Sequence, residues 1–277
     1  MISVIENVYN HYATPCEVYY MAGQSNMAGR DVDGTSLTSR ANDSNIFEYN
    51  RDASGVRSFA AIYPDGGSIE NFGSNVGSMR TRFNQTSNKL FVIRYAVGGH
   101  CIAAFLPEAQ RLIDPQTALP DTNADRSQDM IDLFNESMTE LYRKNFNRPV
   151  KTHFVWYQGA EDAKYNNSGQ EYTQDLSALY GEHLKLLLAY VRNNISVFSG
   201  NVTIIRSPDW QSGPGGSGVK PGQDEVRGFQ VSVAEEDSRA NWLSSDENQS
   251  VTTTWEDSSH IDAASQERLG IDLAALI

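Results

Sequence analysis

Apolar residues fall into two patterns along the chain, and the two patterns alternate. Short runs of β-branched and aromatic residues have the length of a strand and end at glycine or polar residues. Between them lie longer segments in which apolar residues recur every three or four positions and share one helical face. The predicted strands are Val18–Ala22, Leu90–Val97, Lys151–Tyr157 and Val202–Ser207, and the predicted helices are Ser127–Lys144, Tyr172–Arg192, Val226–Glu236 and Asp262–Leu276.

This alternation predicts an α/β fold, a three-layer α/β/α sandwich in which helices cover both faces of a mainly parallel sheet. Two stretches interrupt the alternation. Arg30–Gly73 is long, polar and rich in Gly, Ser, Asn and Asp, and Pro208–Asp224 is rich in Pro and Gly. We expect irregular structure in both, near the functional edge of the sheet. No internal repeat or linker is visible, so a single domain is expected over residues 1–277.

A serine stands directly after the first predicted strand, in the string Gly23–Met27 (Gly-Gln-Ser-Asn-Met). A strand that ends at glycine and then presents Ser25 is typical of a hydrolase that exposes a nucleophile. The usual Gly-x-Ser-x-Gly elbow is absent, because a methionine stands where its second glycine would be. The pair Gly98–Gly99 and the residue Gln158 follow two further strands. Because ligands bind at the carboxyl ends of parallel strands, these residues are predicted to converge at one edge.

Asp257 and His260 lie three residues apart, just before the predicted C-terminal helix. This spacing brings the two side chains together, so that the carboxylate can orient the imidazole and stabilise its cationic form. Ser25, Asp257 and His260 are therefore the predicted catalytic residues of an acyl-transfer reaction. The alternative for an arbitrary Asp-x-x-His is a capping aspartate beside a surface histidine.

An oxyanion needs hydrogen-bond donors, and three groups near the predicted strand ends supply them. The backbone N–H of Ser25, a backbone N–H of Gly98 or Gly99, and the side-chain amide of Gln158 form the predicted oxyanion hole. The alternatives are a plain turn at the two glycines and a core glutamine that is satisfied by backbone groups. His100, next to the glycines, is a rival base, although no carboxylate lies near it in the sequence.

Substrate-binding residues are expected around the same edge of the sheet. Trp210 lies in the Pro/Gly-rich loop, where it either stacks on a sugar ring or anchors the loop. The substrate-binding candidates are Gln24, Asn26, His100 and Trp210.

The charge of the chain limits its partners. Its 277 residues carry a formal net charge of −13, which argues against nucleic acid or an anionic membrane as the main partner. A neutral sugar ester is compatible with this charge. The longest strongly apolar run, Leu186–Val191, is far too short to span a bilayer. No secretory signal is visible at the N-terminus, and the polar, lysine-poor composition fits an extracellular or virion-associated location as well as a cytoplasmic one.

Motifs that bind metals or nucleotides are not recognisable in the sequence. There is no HExxH, no paired CxxC and no P-loop. The stretch Gly213–Gly218 matches Gly-x-Gly-x-x-Gly, but Pro221 stands where a helix should begin and no βαβ unit surrounds it. We therefore expect no metal, no nucleotide and no other cofactor.

The two cysteines are predicted to be free thiols. Cys16 precedes the first predicted strand, whereas Cys101 follows the second. If these strands are parallel, the thiols lie at opposite ends of the sheet, about 20 Å apart at ~3.3 Å per residue. A disulfide requires Cα atoms within about 7 Å of each other.

Four sequence blocks, in order, resemble the SGNH-hydrolase superfamily, most closely its carbohydrate-esterase branch with the sialate O-acetylesterase-like domain. The resemblance spans nearly the whole chain and implies a flavodoxin-like sandwich and cofactor-free removal of acetyl groups from carbohydrates. It also implies that Ser25 is the nucleophile, His260 the base and Asp257 the orienting residue. The implied partner is an acetylated oligo- or polysaccharide. The blocks are Gly23–Met27, Gly98–His100, Trp156–Asp162 and Asp257–His260.

The sequence departs from the family pattern at two positions. The family threonine after Gly-Gly is His100 here, and the glutamate of W-x-Q-G-E-x-D is Ala160, with Glu161 one position further on and Asp162 in register. We expect activity to survive, because that glutamate has a supporting role. The alternatives to a carbohydrate O-acetylesterase are a general short-chain acyl esterase and a catalytically silent carbohydrate-binding module.

Overall fold

The structure of the protein is a computed structural model, and its helices and strands alternate as the sequence predicts. Among the residues that it describes, no helix has both the length and the apolar character to cross a membrane. The described residues are 15–29, 44–51, 57–62, 73–113, 125–145, 149–164, 175–210, 220–247, 253–255 and 260–277.

Seven strands of the described residues form one sheet, with the strand order β3-β2-β4-β1-β5-β6-β7. All neighbouring pairs are parallel except β2 and β3, which are antiparallel. The elements are β1 (Cys16–Gly23), α1 (Ser25–Ala28), β2 (Ile46–Arg51), β3 (Arg57–Ala61), α2 (Ser74–Thr86), β4 (Lys89–Ala96), α3 (Arg126–Asn145), β5 (Lys151–Tyr157), α4 (Leu176–Asn194), β6 (Val202–Arg206), α5 (Gln223–Glu236), β7 (Ala240–Ser244) and α6 (Ala263–Leu273), with short 3-10 helices at Ile102–Phe105, Glu108–Gln110 and Asp162–Lys164.

The side chains of the central strands alternate between two cores, one on each face of the sheet. Tyr20 of β1 packs with residues of α3, α4 and α5, such as Phe134 and Leu184. Its neighbour Tyr19 faces the other way and packs with residues of α2 and α6, such as Met79 and Leu269. The predicted three-layer α/β/α sandwich is therefore confirmed.

The register of the central strands brings their carboxyl ends together. Gly23, the last residue of β1, is paired with Ala96 of β4 on one side and with Tyr157 of β5 on the other. The residues that follow these three strands consequently meet at one edge of the sheet. The predicted convergence of Ser25 and its partners is confirmed at the level of the fold.

The main error of the sequence prediction concerns Arg30–Gly73. We expected irregular structure there, but β2 and β3 lie inside this stretch and extend the sheet. Aromatic side chains connect β2 to the neighbouring strand β4, where the rings of Phe47 and Phe91 stack with centroids 5.2 Å apart. The remaining parts of the stretch, like residues 211–219 of the predicted Pro208–Asp224 loop, lie outside the described residues.

Smaller differences occur at element boundaries. The helix predicted from Tyr172 begins at Leu176, because the side chain of Asp175 caps it by accepting a hydrogen bond from Ala178 N–H. The loop predicted up to Asp224 ends earlier, since α5 begins at Gln223. The helix α2 and the edge strand β7 were not predicted at all.

The two cysteines lie at opposite ends of the central strands. Cys16 begins β1, and Cys101 follows β4 at the other end of the strands. Both are buried free thiols, and the predicted layout is confirmed.

Candidate active site

A glycine fixes the sharp turn between β1 and α1. Gly23 has a φ of 152°, and a Cβ atom at this position would lie 2.0 Å from the carbonyl oxygen of Tyr157 on the neighbouring strand. Only glycine fits such a close approach between two backbones. The chain therefore leaves the sheet at once, and Ser25 becomes the first residue of α1.

Ser25 is the accessible residue of this turn. It is half-buried, whereas its neighbours Gln24 and Asn26 are 4% and 3% exposed. The N–H at the first position of a helix has no partner inside the helix, and that of Ser25 donates to no other described residue. The side chain and the backbone N–H of Ser25 thus lie at the carboxyl edge of the sheet, as the sequence predicts.

Gln24 and Asn26 are buried supports, which corrects their prediction as substrate-binding residues. Gln24 Oε1 accepts a 3.3 Å hydrogen bond from Gly159 N–H. Asn26 Oδ1 accepts a hydrogen bond of 3.3 Å from Ile261 N–H. The backbone oxygen of Asn26 accepts one of 3.0 Å from Gln266 Nε2. The side chains of Gln24 and Asn26 and the backbone of Asn26 thus connect the turn that carries Ser25 to Gly159, Ile261 and Gln266.

The position of His260 follows from these contacts. His260 is half-buried and directly precedes Ile261, which Asn26 holds. Ile261 also pairs with Trp255 in an isolated antiparallel bridge. The candidate base is therefore anchored, through its neighbour in the chain, to the residue next to the candidate nucleophile. Asp257 lies outside the described residues, so its role stays a prediction.

The two glycines after β4 form a turn that faces the same edge. Gly99 has a φ of 75°, in the left-handed region that favours glycine. The oxygen of Gly98 accepts a 2.8 Å hydrogen bond from His100 Nδ1. In a trans peptide the C=O and the next N–H point in opposite directions, so the Gly99 N–H points away from His100. This N–H has no acceptor among the described residues.

His100 is a structural residue, which corrects its prediction as a rival base or substrate contact. It is 5% exposed. While Nδ1 bonds to the Gly98 oxygen, Nε2 lies 3.3 Å from Arg126 Nε, which donates to it. This network assigns the proton to Nδ1 of a neutral ring. Both ring nitrogens are occupied, and neither is available to a substrate.

Gln158 is a buried residue whose side-chain amide bonds to the loop after β4. Its side chain is 1% exposed, and its amide nitrogen donates to His100 O at 3.0 Å and to Asp162 Oδ2 at 2.5 Å. A side-chain amide has only two hydrogens, and both are used. In this arrangement Gln158 holds the loop after β4, and its donation to an oxyanion stays a prediction.

Asp162 is a site residue that the sequence reasoning missed. It is 1% exposed and accepts hydrogen bonds from Ile102 N–H, at 3.0 Å and 3.2 Å to its two oxygens, and from Gln158. Burial raises the pKa of this carboxyl to about 7, although the bonds from Gln158 and Ile102 act in the opposite direction. The feature of the sequence that could have identified Asp162 was its position in the Trp156–Asp162 block.

Trp210 is an anchor of its loop, which corrects its prediction as a sugar-stacking residue. The side chain is 0% exposed and belongs to the core. One face of the ring is covered by Lys220, whose Nζ lies 4.0 Å from the ring centroid. A ring without an exposed face cannot stack on a sugar.

At the second departure from the family pattern, a small apolar residue stands in place of the family glutamate. Ala160 is packed in the core. Glu161 forms a 2.6 Å ion pair with Lys164, one turn further along the chain. In the described part of the chain, no group of three or more His, Cys, Asp or Glu residues is arranged to hold a metal ion.

Residues 15–277 match the family described as carbohydrate esterase, sialic acid-specific acetylesterase. The match covers nearly the whole sequence, and the chain belongs to this family. The protein is accordingly a carboxylic ester hydrolase. None of the curated proteins matches the chain.

Several solved structures share the fold. A protein from Arabidopsis thaliana superposes with a TM-score of 0.63 at 18% identity, over 94% of this chain and 97% of its own. A carbohydrate acetylesterase from Xanthomonas citri gives 0.59 at 15%, over 93% of this chain and 54% of its own. The structure of NanS gives 0.58 at 11%, over 94% and 95%. These three structures share the three-layer α/β/α fold of this chain.

Proposed function

We propose that the protein removes O-acetyl groups from carbohydrates through an acyl-enzyme formed on Ser25, with His260 as the base and Asp257 as the residue that orients it. The main support is the hydrogen bond between Asn26 and Ile261. It joins the neighbours of Ser25 and His260, two residues that are 235 positions apart in the chain. Family membership supports the acetylated carbohydrate as substrate.

In the first half of the reaction, Ser25 Oγ attacks the acetyl carbonyl carbon while His260 takes the hydroxyl proton. The carbonyl π electrons move to the oxygen, and the resulting oxyanion is stabilised by the N–H groups of Ser25 and Gly99. The oxyanion then collapses, the bond to the sugar oxygen breaks, and His260 donates its proton to that oxygen. The sugar leaves as a free alcohol, and the acetyl group stays on Ser25.

In the second half, a water molecule repeats the attack on the acetyl-serine. His260 takes a proton from the water, and the same two N–H groups stabilise the second oxyanion. Collapse breaks the ester bond to Ser25 Oγ, which recovers its proton from His260. Acetate is released, and no electron acceptor or metal is required for the balance of the reaction.

The test is acetate release from p-nitrophenyl acetate, acetylated xylan and O-acetylated sialic acid, with wild type, Ser25→Ala and His260→Ala compared. Removal of a serine nucleophile or its base lowers kcat by several powers of ten, up to about 10⁶. We expect losses of this order on every substrate that the wild type uses. The matched control is Ser232→Ala, a serine of α5 whose hydroxyl, among the described residues, donates to Phe229 O of its own helix.

The outcomes separate the parts of the proposal. Activity retained in a folded Ser25→Ala or His260→Ala variant would refute the assignment of that residue. Cleavage of the small ester but of neither acetylated carbohydrate would support the machinery and refute the substrate class. A series of longer acyl chains then decides about the general esterase, which would keep its activity at eight or more carbons.

A further inference from the structure

Asp162 is a buried carboxyl group for which the proposed reaction has no use. Its side chain is 1% exposed. Its partners among the described residues are the N–H of Ile102 and the amide of Gln158. None of the ion pairs between described residues includes Asp162, and the nearby Lys164 pairs with Glu161 instead. A buried carboxylate without a cation disfavours folding, so an uncharged residue would be the easier choice here.

The bonds of Asp162 explain why a carboxylate stands at this position. Its two oxygens hold Ile102 N–H, the first N–H of the 3-10 helix after the glycine turn. One oxygen also fixes the amide of Gln158, whose second hydrogen holds His100 O. A carboxylate can accept all of these bonds, whereas an amide side chain would present N–H groups to one of the donors.

Through these bonds Asp162 restrains the segment from Gly98 to Ile102. The ring of His100 in turn holds the oxygen of Gly98, which sets the plane of the Gly98–Gly99 peptide. Glycine turns have many accessible backbone conformations, so this peptide needs such a restraint from outside. A misplacement of about 1 Å is enough to lower a reaction rate a hundredfold.

We infer that Asp162 is a positioning residue that fixes the Gly98–Gly99 peptide, and thereby aims the Gly99 N–H at the oxyanion formed in the reaction. The inference rests on the proposed function. The charge of Asp162 does not act on the substrate. It acts through Gln158, Ile102 and His100, on the direction of one backbone N–H.

The test compares Asp162→Asn with wild type for kcat, KM and the inhibition constant of methylboronic acid, which forms a tetrahedral adduct on a serine nucleophile. The amide keeps the size of the side chain, and its oxygen can replace Oδ2, but its NH₂ group then faces Ile102 N–H, from which Oδ1 accepts at 3.2 Å. We expect kcat to fall between about tenfold and a hundredfold with KM unchanged. The inhibition constant should rise by the same factor as kcat/KM falls, because both depend on binding of the tetrahedral state.

The matched control is Asp132→Asn, an exposed carboxylate of α3 that bonds to Gln128 in its own helix. It should leave kcat, KM and the inhibition constant unchanged. An Asp162→Asn enzyme that is folded and has wild-type kcat would overturn the inference. A fall in kcat without weaker inhibition by the boronate would also overturn the inference, because the inference requires weaker binding of the tetrahedral state.

If Asp162→Asn fails to fold, Gln158→Met decides the question. Methionine has nearly the same shape as glutamine but lacks the amide that connects Asp162 to His100 O. The same fall in kcat and the same weakening of the boronate are expected, and an unchanged enzyme would overturn the inference. A different result, an active Ser25→Ala variant, would refute the proposed function itself. An inactive Ser25→Ala beside a fully active Asp162→Asn would refute only the inference about Asp162.

Discussion

Two hydrogen-bond networks flank Ser25, and they differ in chemistry. The base-side network consists of Asn26, Ile261 and Gln266, and the two hydrogen bonds that join these residues are between neutral amide groups. The oxyanion-side network consists of Asp162, Gln158, His100 and Ile102, and its centre is a carboxyl group. Both networks hold backbone segments that carry half-buried, reactive groups while their own side chains are buried.

The two networks therefore respond differently to a change of pH. Neutral amide bonds do not titrate, so the base-side network keeps its geometry over the whole pH range in which the fold is intact. The carboxyl of Asp162 has a pKa raised by burial to about 7. Its protonation state changes near neutrality, and the stability of the oxyanion side changes with it.

The largest expected effect in this comparison comes from breaking the base-side network with Asn26→Ala. The change removes the acceptor of the Ile261 N–H and lets His260 move relative to Ser25. We expect kcat to fall about a hundredfold with KM unchanged, because the base no longer meets the nucleophile in a fixed geometry. Steady-state kinetics on p-nitrophenyl acetate measure both constants.

The matched variant for this prediction is Asn26→Asp, which keeps an oxygen where Ile261 N–H donates. It should recover part of the lost kcat. If Asn26→Ala is folded and fully active, the base-side network has no influence on His260.

The next effect is a smaller one at the second bond of the same network. Gln266→Met removes the donor to the Asn26 oxygen but leaves the bond to Ile261 in place. We expect kcat to fall by less than about tenfold and the free energy of unfolding to fall by about 1 kcal/mol, the typical net value of one hydrogen bond. Urea denaturation and steady-state kinetics measure the two quantities. A loss as large as that of Asn26→Ala would mean that Gln266, rather than Ile261, is the main contact.

The pH dependence of stability distinguishes the two networks directly. The folded pKa of Asp162, about 7, lies above its value in the unfolded chain. The folded state therefore binds more protons between about pH 4 and 7, and the contribution of Asp162 to stability is highest in acid and is lost as the pH rises through about 7. Asp162→Asn should remove this decline, whereas Asn26→Ala should keep it.

Urea denaturation at several pH values checks this prediction through the difference between each variant and wild type. His153 and His183, whose pKa values burial lowers to about 3 and about 4, destabilise the fold in acid. Both histidines are present in wild type and variants, so their effect cancels in the difference. If the free energy of unfolding changed with pH equally in wild type and Asp162→Asn, this would contradict the assignment of Asp162 as a buried group that titrates near neutrality.

The smallest effect is expected at Trp210, which belongs to neither network. Trp210→Phe keeps an aromatic ring in the core and removes no group that a substrate could reach. We expect KM for acetylated xylan to stay unchanged and stability to fall by less than about 3 kcal/mol, the value of a full truncation. A large rise in KM on the polysaccharide, with no rise on the small ester, would restore Trp210 as a sugar contact.

The sequence predicts the central part of the fold because its strands are buried on both faces. Such strands read as continuous apolar runs, as in Lys151–Tyr157, whose bounds were predicted without error. The hairpin of β2 and β3 was missed because polar residues stand in it. Glu48 of β2, for example, forms a 2.9 Å ion pair with Arg94 of β4. A charge that is paired across strands looks like a loop residue in the sequence alone.

The accessible residues of the candidate site were easier to predict than their supports. The positions of Ser25 and the Gly98–Gly99 turn follow from where strands end. The hydrogen-bond partners of Gln158 were not predicted, because the sequence does not show that His100 O and Asp162 each accept one of its two amide hydrogens. Likewise, the sequence does not show that the side chain of Lys220 covers one face of the Trp210 ring.

The proposed acyl-enzyme is tested most directly by identifying the residue that carries the acyl group. Wild type, Ser25→Ala and His260→Ala are mixed with p-nitrophenyl acetate, quenched rapidly with acid, digested and analysed by mass spectrometry. We predict an acetyl group on the peptide that contains Ser25 in wild type, none in Ser25→Ala, and a strongly slowed appearance in His260→Ala. Acetylation of a different residue, or of Ser25 at an unchanged rate without His260, would contradict the account.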